Sequence, residues 1–246
     1  MKIWLRSCIF NVIFYIWTFG CSFFCWPVLF FSRSYIITVA NFWSFGVFWI
    51  CERIGGIHFK LIGKERIPTT PVIFASKHQS AWETIVSPYV LSHPAIVLKE
   101  ELMRIPFFGG YLKGLGMIPL SRSKNKSIQD LKNLLRAATE AVAQGRSILI
   151  FPEGTRSAPG HQGTYHSGIA SLYQHLNIPV VPIAHNAGLF WPRRGFIKRP
   201  GCITLEFLTP IQPGLSRHEF MRQLTTAIET KTNELVAQEK IDVKDQ

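Results

Sequence analysis

The chain has 246 residues, a formal net charge of +12 and 47% hydrophobic residues, which allows one α/β domain with a smaller appendage and excludes a second full catalytic domain. The basic balance favours an anionic partner. Most of the tryptophans and many of the phenylalanines precede Arg53 in segments with almost no lysine or arginine. This is not the interleaving of rings and cations found on nucleic-acid surfaces, so phospholipid head groups or a phosphorylated substrate fit better than DNA or RNA.

The first predicted elements are apolar. From Ser7 to Ser32, and again from Ser34 to Cys51, no charged residue occurs, and each stretch approaches or exceeds the ~20 residues of a membrane-spanning helix. A cleaved signal peptide is the alternative, but the first run is too long and no small-residue cleavage site follows it. A hairpin turning around Pro27 and Ser32 to Ser34, and returning to the face it entered, would keep Lys2, Arg6 and Arg33 on the cytoplasmic side. Two full spans would place Arg33 outside and still leave Lys2 and the following domain cytoplasmic, and the sequence does not choose between the two. Five cysteines, at 8, 21, 25, 51 and 202, form no CxxC pair, the pattern of reduced thiols in a reducing compartment.

After Gly55-Gly56 the pattern changes, dividing the chain into a membrane-embedded hairpin over 1–54 and an α/β domain over 55–246. Strands are predicted at Ile57 to Ile62, Val72 to Ala75, Ala95 to Leu98, Met117 to Leu120, Ser147 to Phe151, Val180 to Ala184 and Cys202 to Leu208. Helical periodicity covers Ser127 to Ala143 and Ser216 to Ala237, with weaker signals at Trp82 to Leu91 and Gly168 to His175. Strands alternating with helices give a mixed, largely parallel sheet flanked by helices.

Three strand ends carry chemistry. His78 follows the second predicted strand, in Lys77-His78-Gln79-Ser80-Ala81-Trp82-Glu83. On one continuous helix His78 and Glu83 would diverge by about 140°. They meet only if His78 lies in the turn before the helix and folds back, so that Glu83 accepts a hydrogen bond from one imidazole nitrogen and fixes the tautomer. Taken alone, such a pair also suits an ordinary surface contact. Phe151-Pro152-Glu153-Gly154-Thr155-Arg156 follows the fifth strand, where Gly154 permits a sharp turn and Arg156 offers a forked donor set for phosphate. A βα turn with a surface ion pair from Glu153 explains the same residues. Gly116 to Arg122 ends a further strand on an arginine. Together these bring a base, an acid and two arginines to one rim, as a site for an anionic substrate requires.

In order and spacing, His78 to Glu83, Gly116 to Arg122, Phe151 to Arg156 and Val181-Pro182-Ile183 resemble the H-x4-D, G-x-I-x-x-x-R, F-x-E-G-T-R and V-P-I motifs of the lysophosphatidic acid acyltransferase (1-acylglycerol-3-phosphate O-acyltransferase) family, across roughly Val72 to Pro182. Glu83 stands where that family usually has aspartate, and His166-Ser167-Gly168 where many members have lysine before glycine. The resemblance implies a glycerolphosphate-acyltransferase-like fold. It also implies catalysis by His78 and Glu83, and a phosphoglycerol pocket of Arg122, Glu153, Gly154, Thr155 and Arg156, with Lys99 a further candidate. The expected reaction passes an acyl group from acyl-CoA or acyl carrier protein to lysophosphatidic acid at a membrane, with the domain on its cytoplasmic face and no resident cofactor. Alternatives are another acceptor, glycerol 3-phosphate or a lyso-aminolipid, and a noncatalytic module binding anionic lipid. Ser80 lacks the G-x-S-x-G setting of a nucleophile. His58, His93, His161, His166, His175, His185 and His218 show no metal-binding spacing.

Overall fold

Residues 2–121 and 128–242 are described by the structure, a computed structural model. Helices α1 (Ile3–Phe24) and α2 (Arg33–Trp49) form the apolar hairpin, joined by a 3-10 turn over Trp26–Phe30 that includes Pro27. A π-helical turn, Ile50–Gly55, extends α2 and stops at Gly56, whose φ of +59° a side chain would oppose. Both helices are long and apolar enough to cross a membrane.

The domain follows as β1 (Ile57–Ile62), β2 (Ile73–Ser76), α3 (Trp82–Val90), β3 (Ala95–Lys99), α4 (Phe108–Gly114), β4 (Ile118–Leu120), α5 (Ile128–Ala143), β5 (Ile148–Ile150), α6 (Gly168–Leu176), β6 (Val180–His185), β7 (Gly201–Phe207) and α7 (Arg217–Asp242). Its seven strands form one sheet in the order β1-β7-β6-β2-β5-β3-β4. All neighbours are parallel except β6 and β7. Strands β2 to β6 therefore run one way and deliver their C-terminal ends to a single edge.

Alternation along the strands separates two cores. Phe74, Leu149, Val181 and Ile183 point to the face covered by α3, α4 and the hairpin. Ile73, Ala75, Ile148, Ile150 and Val180 point to the face covered by α5, α6 and α7. The first core contains Phe10, Ile36, Val47 and Ile50 of the hairpin alongside Trp82 and Tyr111 of the domain, so the hairpin completes the domain's own interior. Burying a side chain such as Phe10 stabilises by about 1.5–3 kcal/mol.

The hairpin is docked at both ends. At its base, Asn11 Nδ2 donates to the Phe196 carbonyl over 3.0 Å, and Phe10 meets Trp191 edge-on with ring centres 5.1 Å apart. At its turn, the Phe23 ring lies 5.7 Å from that of Phe107. Gly110 and Gly114 of α4 leave space that Leu29 and Ile36 fill; a Cβ at either would come within 2.5 and 2.4 Å of them respectively. This close approach explains why α4 was not visible in the sequence. Its three glycines, at 109, 110 and 114, disfavour a helix by roughly 1 kcal/mol each, and packing overrides that preference. Opposite the docked face, Tyr15, Phe19, Phe24, Phe30 and Phe45 remain exposed.

Candidate active site

The peptide between β2 and α3 leaves the sheet at the common edge and is held there atom by atom. Lys77 N–H donates to the Ile183 carbonyl of β6, and the Lys77 carbonyl accepts from His185 Nε2 over 2.8 Å. His78 N–H donates to Glu153 Oε1 over 3.0 Å, and the His78 carbonyl accepts from Ser157 N–H over 2.8 Å. Gln79 and Ser80 N–H both donate to Glu83 Oε1, at 2.8 and 2.7 Å. A loop with this many backbone groups bonded has little freedom to move.

His78 folds back over the first turn of α3, its Nδ1 lying 2.9 Å from Glu83 Oε1. The Glu83 side chain is fully buried and that of His78 is 13% exposed. Because a carboxylate only accepts, Nδ1 carries the proton and Nε2 is left as the acceptor. Phe151 stacks on the imidazole with ring centres 4.3 Å apart and fixes its plane. Burial works against the charged form of Glu83. Its bonds to the His78 ring and the Ser80 N–H outweigh it, holding the carboxyl below its ordinary range. Ser80 Oγ accepts from the Trp82 N–H at 3.1 Å, a capping role at the start of α3.

The Phe151 to Arg156 turn divides inward and outward. Gly154, at φ +63°, makes the reversal, Thr155 is exposed and Arg156 half-buried. Glu153, expected in the phosphate pocket or in a surface ion pair, instead has a fully buried side chain. Its Oε1 holds the His78 peptide and its Oε2 accepts from Lys77 Nζ at 3.2 Å. Lys77 Nζ also donates to Glu229 Oε1 of α7 at 2.7 Å, where Tyr165 donates its hydroxyl at 2.8 Å. Burial and Glu229 drive the Tyr165 phenol far up, so it remains a donor. This floor under the base was not read from the sequence. Its one signal is that Glu229 and buried Val236 are seven residues apart, on one face of α7.

Burial pushes His185 down, so it stays neutral, its Nδ1 accepting from Ala187 N–H and its Nε2 donating to Lys77. Arg156 has its Nε out of water without a partner. Burial lowers its pKa, Glu83 raises it and Arg193 lowers it again. Lys99 ends β3 at the same edge with its side chain exposed. Arg122 lies outside the described residues.

A histidine bonded through Nδ1 to a buried carboxylate, beside an E-G-T-R turn at the same sheet edge, sets a candidate base next to a candidate anion site. Residues 58–186 match the Acyltransferase family. The chain is 41% identical over 182 residues to the 1-acyl-sn-glycerol-3-phosphate acyltransferase of Pseudomonas aeruginosa, covering 74% of this chain and 70% of that one. It is 29% identical over 166 residues to the 1-acyl-sn-glycerol-3-phosphate acyltransferase of Saccharomyces cerevisiae, covering 63% and 52%. The fold matches the crystal structure of the 1-acyl-sn-glycerophosphate (LPA) acyltransferase PlsC from Thermotoga maritima with a TM-score of 0.76 at 22% identity, over 94% of this chain and 97% of that one. The chain belongs to the 1-acyl-sn-glycerol-3-phosphate acyltransferase family.

Proposed function

We propose that the protein transfers an acyl group from a thioester, carried on coenzyme A or acyl carrier protein, to the sn-2 hydroxyl of 1-acyl-glycerol 3-phosphate. The observation that carries this reading is the 2.9 Å bond between His78 Nδ1 and Glu83, which leaves Nε2 as the ring's acceptor. Nε2 takes the hydroxyl proton as that oxygen attacks the thioester carbonyl. The C–S bond breaks, and the proton passes from the imidazolium to the departing thiolate. Glu83 stabilises the imidazolium formed between these steps. Direct transfer needs no enzyme nucleophile, and Ser80 is engaged as a cap. Arg122 and Arg156 supply positive charge for a substrate phosphate, with Lys99 a further candidate. Glu153 acts beneath the site, holding the peptide of the base.

We place the hairpin in one leaflet, with the domain on the cytoplasmic face. Docking at both ends keeps Arg33 beside the domain, where its charge, after burial, helps lower the pKa of Arg146 to about 10. Two spans would have to carry Arg33 to the far side. The apolar face of the hairpin then meets the acyl chains of both substrates.

The test is acyl transfer from labelled acyl-CoA and acyl-ACP to lysophosphatidic acid in detergent micelles, comparing wild type with His78→Ala. Product from wild type and a loss of about 10²–10⁴-fold in the variant are expected. Absence of product with both donors, or equal rates from the two proteins, would overturn the reading.

A further inference from the structure

The loop between β6 and β7 takes no part in the chemistry described above. At one end Gly188 N–H holds Gln79 Oε1, beside the base. At the other, Lys198 N–H donates to Ser7 Oγ in the hairpin, and Trp191 packs on Phe10. Between these anchors a tight turn, closed by Gly195 N–H on the Pro192 carbonyl at 3.0 Å, carries two exposed arginines, Arg193 and Arg194. The two differ in what they touch. Arg193 Nη1 donates 2.8 Å to the carbonyl of Arg156, and the next residue, Ser157, donates to the carbonyl of His78. The Arg193 guanidinium is thus fixed one residue from the bond that locks the catalytic loop.

Neither Arg156 nor Arg193 has a carboxylate within ion-pair distance among the described residues. Arg156 keeps Nε dry and unpartnered, and the charge of Arg193 acts against it. The Arg193 guanidinium is held on the backbone of Arg156, near enough for its charge to act on that side chain, and with no carboxylate between them both gain from an anion that accepts from both. Phosphate oxygens suit their fork geometry.

We propose that Arg193 is a phosphate-binding residue that acts with Arg156 as a two-arginine clamp beside His78. The phosphate belongs either to the acceptor head group or to the carrier of the acyl donor. The inference rests on the acyl-transfer reading and deepens it by naming the residue outside the family motifs that recognises the charged end of a substrate.

The experiment uses full-length protein in detergent micelles, as wild type, Arg193→Gln, Arg193→Lys and, as a control from the same turn, Arg194→Gln. Initial rates are measured with donor and acceptor varied in turn. For Arg193→Gln a rise of about tenfold or more in one apparent KM is expected, with kcat within about threefold. A rise for lysophosphatidic acid assigns the clamp to the acceptor, and a rise for acyl-CoA or acyl-ACP assigns it to the donor. Arg193→Lys is expected to recover only part of the loss. Unchanged KM for both substrates, or an equal rise in Arg194→Gln, overturns the clamp. If wild type turns nothing over, the acyl-transfer reading fails separately. Calorimetric titration with sn-glycerol 3-phosphate and with coenzyme A then decides, since equal affinity of wild type and Arg193→Gln for both compounds refutes the clamp.

Discussion

Among the described residues two lysines are buried, and their surroundings differ in kind. Lys77, below the base, is 1% exposed and paired with Glu153 and Glu229. Lys198, at the seam between hairpin and domain, is 3% exposed. Its Nζ is held by Asn11 Oδ1 and the carbonyls of Gly195 and Phe196, at 3.2, 2.8 and 3.1 Å, and lies over the rings of Phe10 and Trp191. Burial lowers its pKa to about 8. Beneath the base, opposite charges fix geometry, and removing one strands the others. At the seam, neutral dipoles and aromatic rings hold a cation that can shed its proton without stranding a carboxylate. The site is built for precision and the seam for adhesion.

The largest expected effect tests the precise side. Glu83→Gln removes the charge that orients the imidazole, and kcat should fall about 10²–10⁴-fold, with vesicle flotation showing unchanged membrane binding. Retained turnover would mean that Glu83 serves only as the acceptor for Gln79 and Ser80. Next, Lys77→Met leaves two carboxylates buried without their cation and should cost about 3–5 kcal/mol in urea unfolding. Lys198→Met should cost no more than about 1 kcal/mol, since the carbonyls it leaves lie near water. The reverse order would break the comparison.

The pH dependences follow from burial. The folded pKa of Lys198, about 8, lies below the ordinary 10.5, so between those values the unfolded chain binds the extra proton. Wild type should therefore gain stability relative to Lys198→Met as pH rises from 8 toward 10.5, by at most about 1.4 kcal/mol per unit. His185 gives the same sign at lower pH. Its folded pKa is depressed below 6.5, so stability is retained above that value and lost as pH falls beneath it. Thermal melts of wild type against His185→Gln between pH 7 and 5 would show the difference, and parallel curves would mean that His185 takes up its proton in place.

Much of the fold was legible because the central strands are apolar toward both cores, as Ile73, Phe74 and Ala75 are. The parallel edge and the fold-back of His78 on Glu83 followed from the alternation of strands with helices and from helical geometry. What was not legible depended on distant partners. Glu153 reads as a surface acid until Lys77 and Glu229 are seen around it, and the α4 glycines read as a loop until Leu29 and Ile36 fill their space. Local preference encodes neither, because both are decided by packing between segments far apart in the chain.

The bond from Lys77 to Glu229 spans 152 positions. During synthesis the hairpin and the loop bearing the base emerge early, yet the support beneath that loop is complete only when α7 has left the ribosome and docked. A chain cut short before Glu229 would still carry the hairpin and Glu153 but lack the second carboxylate that pairs with Lys77. The support beneath the base is therefore complete only once α7 is made and docked.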